Sequence, residues 1–342
     1  LIPKNWIQKN LEPRPNNFRL VEWTVLLGPH IFRYFFLPGK VFDVLKFRPD
    51  IVYIEEEPGS PSALQAMMWA RIAGSEVVLK SCENLYRTPR FPLNVVEKFV
   101  LKNTDMLICL TSGVEKVFRE KGFKGKTAVV GLGVEKFNVD KSARNEIRKK
   151  TNMNKFAIGY FGRMVREKSI ETLIEAAAKL KFDFQLVLDM HEDKTASFID
   201  QEYKQELLEL AKKLGVEKKI VFVSPAYEEM GNYLSAIDVL VLPSKTMKGW
   251  KEQFGRVLIE AMNVETPAIG SDSGSIPEII GNAGLVFGEG NSIELAEKIS
   301  KVYSDAKLVD KLKKDGVKRA EEFSLEKIAS KTVAAFNETV RK

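Results

Sequence analysis

Short apolar runs alternate with amphipathic stretches along most of the chain. In the first half the runs fall at 51–54, 77–79, 106–110 and 128–130. In the second half they fall at 157–161, 185–188, 220–223, 239–242, 268–270 and 285–287. Runs this short, bounded by polar residues, predict strands, whereas apolar residues recurring three and four apart predict helices. That spacing predicts helices over 61–73, 92–102 and 113–121, and then over 168–180, 200–214, 228–235, 254–263, 275–280, 292–304 and 307–321. Strands that alternate with helices build parallel sheets with helices packed on their faces. The expected fold is therefore α/β, with two Rossmann-like doubly wound parallel-sheet domains joined near 135–150.

The segment 32–47 departs from this pattern. Phe32, Tyr34, Phe35, Phe36, Phe42 and Phe47 are interleaved with Arg33, Lys40 and Lys46. One reading is a basic, aromatic patch that touches an anionic membrane. The preferred one is a buried helical segment, broken at Pro38-Gly39, ahead of the strand at 51.

A length of 342 residues suits two domains, and 44% hydrophobic with 29% charged residues suits a soluble globular chain. No apolar run approaches the roughly 18 residues of a membrane span. Of the net charge of +7, most lies in the first half: residues 1–140 hold 20 basic and 15 acidic side chains. This favours an anionic partner, but no Lys/Arg stripe with interleaved aromatics points to nucleic acid. Two cysteines, Cys82 and Cys109, and two histidines, His30 and His191, leave little material for disulfides or zinc. A cytoplasmic location is expected, with peripheral contact at the inner membrane face as an addition. The opening Leu1-Ile2-Pro3 reads as the end of a strand already under way, so the first domain is expected to be N-terminally truncated.

In a doubly wound sheet, ligands bind beyond the carboxyl ends of the strands, so the loops there are where chemistry is sought. Phe161-Gly162-Arg163 leads to Lys168 at a predicted helix start. Gly162 permits close backbone approach, and two cations can meet one diphosphate and stabilise it as it departs. After Pro243-Ser244 comes Glu252, then Phe254, Gly255 and Arg256 at a helix start, and Glu260 two turns on. The amides there form an anion site, and the carboxylates can accept bonds from sugar or ribose hydroxyls. Ser273-Gly274-Ser275 ends in a capping serine before Pro277 and forms a candidate pocket wall. The loop Asp189-Met190-His191-Glu192-Asp193 carries metal-ligand types, but no second segment completes a shell, so no metal is expected.

Together these motifs resemble glycosyltransferase family 4, a family of retaining enzymes of the GT-B type. The resemblance rests on Gly162-Arg163, Lys168 five residues on, Pro243-Ser244, the glutamates Glu252 and Glu260, and Ser273-Gly274 before Pro277-Glu278. It implies an N-terminal acceptor-side domain over 1–140, joined by a C-terminal helix at 324–342, and a donor domain over 141–323. It implies that Arg163 and Lys168 bind the donor diphosphate, Glu260 the ribose, and Glu252 the donor sugar. Gly162, Phe254, Gly255 and Arg256 would complete the nucleotide-sugar site. Glu83 and Asn84 are candidates for contacting the reacting sugar, at a position where many members place a histidine. No cofactor or metal is implied, with a UDP- or GDP-sugar as donor and a saccharide or lipid-linked molecule as acceptor.

The chain also departs from the family. Roughly 30 to 50 residues of the first βα unit are missing from the pattern. Ser169 stands where glycine is usual, Glu135 replaces the usual aspartate, and Asp189-Met190-His191 replaces a glycine-rich turn. The expected activity is metal-independent transfer of a hexose-type sugar with retention. A nucleotide-sugar binding module without turnover and a nucleotide-sugar epimerase are the alternatives.

Overall fold

The computed structural model describes residues 2–3, 22–23, 25–26, 34–37, 41–139, 141–190 and 200–340. The chain divides into two compact units, one of residues 1–130 with 331–342, the other of residues 131–330.

In the first unit, the short strands β1 (Ile2–Pro3) and β2 (Glu22–Trp23) pair in parallel, and β3 (Val25–Leu26) and β4 (Phe35–Phe36) pair antiparallel. After α1 (Val41–Phe47) come β5 (Ile51–Ile54), α2 (Pro61–Ala73), β6 (Glu76–Ser81), α3 (Leu93–Lys102), β7 (Met106–Cys109), α4 (Ser112–Glu120) and β8 (Lys126–Val129). The last four strands form one parallel sheet in chain order. α2 is delimited as its sequence demands. The Ser60 side chain accepts from the Ala63 amide, Pro61 occupies the first turn, and Gly74 closes the helix in the left-handed conformation.

The aromatic segment differs from the helical reading. Phe35–Phe36 is a strand, and helix begins only at Val41. Tyr34 and Phe36 are buried with Trp69, while Phe42 and Phe47 are exposed. A run of adjacent aromatics has no helical period, and backbone pairing with Val25–Leu26 decides its conformation. Residues 32–33 and 38–40 lie outside the described residues, as do His30 and the His191-Glu192-Asp193 part of its loop.

Burial in this unit has an electrostatic consequence. Glu57 accepts from the Ser81 hydroxyl and, at 3.0 Å, from the Cys82 amide. Desolvation nonetheless raises its carboxyl above the usual range, and the nearby Glu83 adds to this. The native state then holds this proton more tightly than the unfolded chain, so ionising Glu57 erodes stability as pH climbs from about 4.3 through the raised value. Glu57→Gln lacks that loss. In urea unfolding, the stability of the wild type relative to the variant is expected to fall between pH 4 and 7, and a difference growing with pH would contradict the sign.

The second unit begins with the 131–139 segment and α5 (Lys141–Lys150). It continues through β9 (Phe156–Tyr160), α6 (Ile170–Ala177), β10 (Phe184–Asp189), α7 (Gln201–Lys213), β11 (Ile220–Val223), α8 (Met230–Ala236) and β12 (Val239–Leu242). α9 (Arg256–Asn263), β13 (Ala268–Ser271), α10 (Ile276–Ile280), β14 (Leu285–Phe287), α11 (Ser292–Ser304) and α12 (Ala306–Glu321) complete it. α13 (Leu325–Val340) starts in this unit and ends in the first, where Phe336 packs edge-on against Tyr53 at 5.2 Å.

The six parallel strands run in the order β11-β10-β9-β12-β13-β14. The chain starts at the centre with β9, winds outward to β11, then returns to β12 and winds the other way. β12 and β13 are buried along their whole length, which is why they read as uninterrupted apolar runs. α5 is fastened differently. Arg144 and Arg148 both reach Asp238, at 2.5 and 3.1 Å, and the same carboxylate accepts from the Ala157 amide of β9 at 2.7 Å.

Candidate nucleotide-sugar site

The order of winding reverses between β9 and β12. Loops leaving the carboxyl ends of two such strands diverge to opposite faces and open a crevice, the usual ligand site of a doubly wound sheet. The loop after β9 holds Gly162, Arg163 and Lys168, and the one after β12 holds Ser244 and Glu252.

The β9 loop is shaped by Tyr160, fully buried, whose hydroxyl donates to the Arg163 carbonyl at 2.5 Å. Gly162 takes a φ of 146°, disfavoured for residues with a Cβ. The segment Arg166–Lys168 forms a single 3₁₀ turn, so α6 starts at Ile170, two residues later than the expected 168. Ser169 between them is left-handed, with φ 50° and ψ 46°. This is the conformation for which a glycine would be the undemanding choice. The serine hydroxyl instead bonds Thr172 Oγ1 at 2.9 Å.

This turn delivers Lys168 to Glu252. Lys168 Nζ lies 2.5 Å from Glu252 Oε2, and Ser244 Oγ donates to the same oxygen at 2.8 Å. The ammonium also sits 5.2 Å from the Trp250 ring centre. The Lys245 amide donates to the Glu167 carbonyl at 3.0 Å, fixing the β12 loop to the β9 loop. The β13 loop joins from the other side, where the Ser275 amide donates to the Glu252 carbonyl at 3.0 Å. Ser275 stands ahead of α10 but its side chain makes no capping bond there, unlike the capping role expected for it.

Arg163 points its guanidinium to Glu167 at 3.3 Å, and both side chains are partly exposed. It is therefore held by a weak surface pair that an anionic ligand can displace.

At the start of α9, Gly255 is left-handed (φ 78°) and Phe254 is buried, edge-on to Phe323 at 5.5 Å. The helix begins at Arg256, so its free amides lie just after the glycine. Arg256 Nε meets Glu260 Oε1 at 2.7 Å, one turn on, and the guanidinium stacks over Tyr227 with 5.1 Å to the ring centre. Glu260 is buried, and desolvation raises its carboxyl above the usual range against the lowering influence of Arg256.

The structure thus brings Lys168 and Glu252 together, and Arg256 and Glu260 together, all in the second unit. Glu83 and Asn84 belong to the first unit. Glu83 is bound by Lys121 Nζ at 2.7 Å, a lysine that also holds Glu97 at 2.5 Å, and Asn84 is buried. Trp250 and Tyr227 are additional contacts beyond the residues the sequence points to, and Ser244, which the sequence gives only as the end of the Pro243-Ser244 motif, contributes a hydroxyl bond to Glu252. A lone tryptophan in the lysine-rich stretch 245–251 is a usable signal for Trp250, whereas Tyr227 carries none. Among the described residues, no group of three or more His, Cys, Asp and Glu side chains could hold a metal ion, and no helix is long and apolar enough to cross a membrane.

Several known proteins are similar to this chain. An uncharacterized glycosyltransferase of Methanocaldococcus jannaschii is 26% identical over 67% of this chain and 58% of its own length. The capsular polysaccharide biosynthesis glycosyltransferase CapM of Staphylococcus aureus is 27% identical over 68% of this chain and 60% of its own. The chain therefore spans less than two thirds of these two relatives. Among solved structures, Anabaena HepE in complex with UDP superposes with a TM-score of 0.77 at 20% identity, covering 87% of this chain and 82% of that one. The shared fold is GT-B, two parallel-sheet α/β units with sheets of four and six strands here. Residues 143–319, more than half of the chain, match the family of glycosyl transferases group 1, and they contain all three loops that meet at Glu252; the chain belongs to that family.

Proposed function

We propose that the protein transfers a hexose-type sugar from a UDP- or GDP-sugar to a saccharide or lipid-linked acceptor, with retention at the anomeric carbon and without a metal ion. The observation that carries this reading is the meeting of Lys168 and Glu252, from two loops 84 residues apart, at the sheet's switch point. A cation, a carboxylate and a fresh helix start suit a ligand with a diphosphate at one end and hydroxyls at the other. Anabaena HepE, which shares the fold, has also been solved with UDP-glucose.

In this reading Arg163, Lys168 and the first amides of α9 supply the positive field that a divalent ion would otherwise provide around the diphosphate. Glu260 takes the ribose hydroxyls and Glu252 the sugar hydroxyls. The bond from the anomeric carbon to the phosphate oxygen breaks as the acceptor oxygen approaches from the same face. The acceptor proton passes to that phosphate oxygen, and the nucleoside diphosphate leaves. The resemblance of its motifs to glycosyltransferase family 4 accords with this retaining course.

A thermal-shift panel of UDP, GDP and their hexose conjugates tests the binding half. A ligand at about 100 times its Kd stabilises the folded state by about 2.7 kcal/mol, which a melting curve resolves. Transfer is then read with the stabilising donor by product analysis, including the anomeric configuration. No shift with any member of the panel, or a product of inverted configuration, would overturn the corresponding part.

A further inference from the structure

Between Asn84 and Thr104 the chain carries four cations, Arg87, Arg90, Lys98 and Lys102, and one carboxylate, Glu97. Glu97 is buried and bound by Lys121, so it faces inward and leaves the outer surface basic. Residues four apart share one face of a helix. On α3 the outward face carries Val95 and Phe99, 55% and 47% exposed, and just ahead of the helix Phe91 is 81% exposed. Tyr86 in the preceding loop is exposed as well. Single exposed apolar residues are ordinary, but four within fourteen positions, set among cations, form a patch.

A cavity of about 520 Å³ opens beside this patch, lined by Arg87, Lys98, Lys102, Lys121 and Lys124 among others. Among the described residues Lys98, Lys102 and Lys124 have no acidic partner. The cavity thus offers three uncommitted ammonium groups and room for a phosphate headgroup.

We infer that the outer face of α3, with the loop ahead of it, seats on an anionic lipid bilayer. Phe91, Val95 and Phe99 enter the boundary between headgroups and acyl chains. The cations stay at headgroup level, the long lysine stems reaching outward. A nucleic-acid duplex would satisfy the cations and leave the apolar row in water, whereas a bilayer uses both. This surface lies wholly in the first unit and is independent of the donor chemistry proposed above.

The test is cosedimentation of the whole chain with vesicles of phosphatidylcholine alone and of phosphatidylcholine with phosphatidylglycerol in equal parts. Binding is expected to the mixed vesicles and to fall with salt. Each cation near an anionic surface contributes about a fivefold factor, so Lys98→Glu with Lys102→Glu lowers partitioning by more than about 25-fold. Phe91→Ser with Phe99→Ser lowers it by at least about tenfold. These side chains are exposed, so melting temperatures should be unchanged and loss of fold is separable from loss of binding. Equal binding to both vesicle types, or unchanged binding of both double variants, would overturn the inference. So would binding of duplex DNA in preference to vesicles, or saturation of the cavity by inorganic phosphate without vesicle binding.

Discussion

Replacing Lys168 by alanine is expected to lower sugar transfer by roughly 100- to 1000-fold, the effect of removing one preorganised charge from a developing anion. The structure adds a second expectation. Lys168 and Glu252 are both largely buried and share a short ion pair, so alanine leaves a buried carboxylate without its counter-charge, at a cost of about 3 kcal/mol. Arg163→Ala differs. Its partner Glu167 is a partly exposed neighbour one turn away, so stability should move by no more than about 0.5 kcal/mol while turnover falls comparably. The double variant Lys168→Met with Glu252→Gln separates the two roles, since it removes both charges and should recover most of the melting temperature without recovering transfer. Full activity in either single variant would remove these residues from the mechanism.

Gly274→Ala is expected to be the most disruptive single methyl in the second unit. A Cβ built at this glycine lies 2.1 Å from the Glu252 carbonyl oxygen and 2.9 Å from the Glu252 amide nitrogen, and its φ is +58°. Backbone cannot yield as a flexible side-chain tip can. The Ser275 amide bonded to that same carbonyl holds the two loops at this spacing. Overpacking and the left-handed backbone together should cost about 2–4 kcal/mol, and the displaced Glu252 should no longer meet Lys168. Chemical denaturation gives the first effect and donor titration the second. A variant with wild-type stability would show that the β12 loop gives way.

The parts of this molecule legible in its sequence were those set by burial on a period. β12 and β13 are covered on both faces and read as apolar runs, and α11 spans the predicted residues because Asn291 caps it and Leu295, Ile299 and Val302 recur on one side. α5 carries no such pattern, for a physical reason. Only Ala143 and Ile147 are apolar and buried in it, and its attachment is by Arg144 and Arg148 to Asp238, nearly a hundred residues on, which leaves no periodic trace. The chemistry divides similarly. Residue types at loop positions could suggest Lys168 and Glu252, but their pairing depends on the sheet order that places β12 beside β9. Glu83 could be named from its position after β6, but its engagement by Lys121 across the α3–α4 side could not.

That pair of arginines on Asp238 also dictates where the polypeptide can be cut. A fragment of the second unit that begins after Lys150 removes both guanidinium groups and leaves Asp238 with the Ala157 amide, its negative charge no longer matched beside β9. Severing the chain ahead of Gly131 keeps the clasp, and with it the ring contacts of Phe254 and Phe323 that lie against Gly131. The excisable piece is therefore longer at its leading end than the stretch that starts with β9.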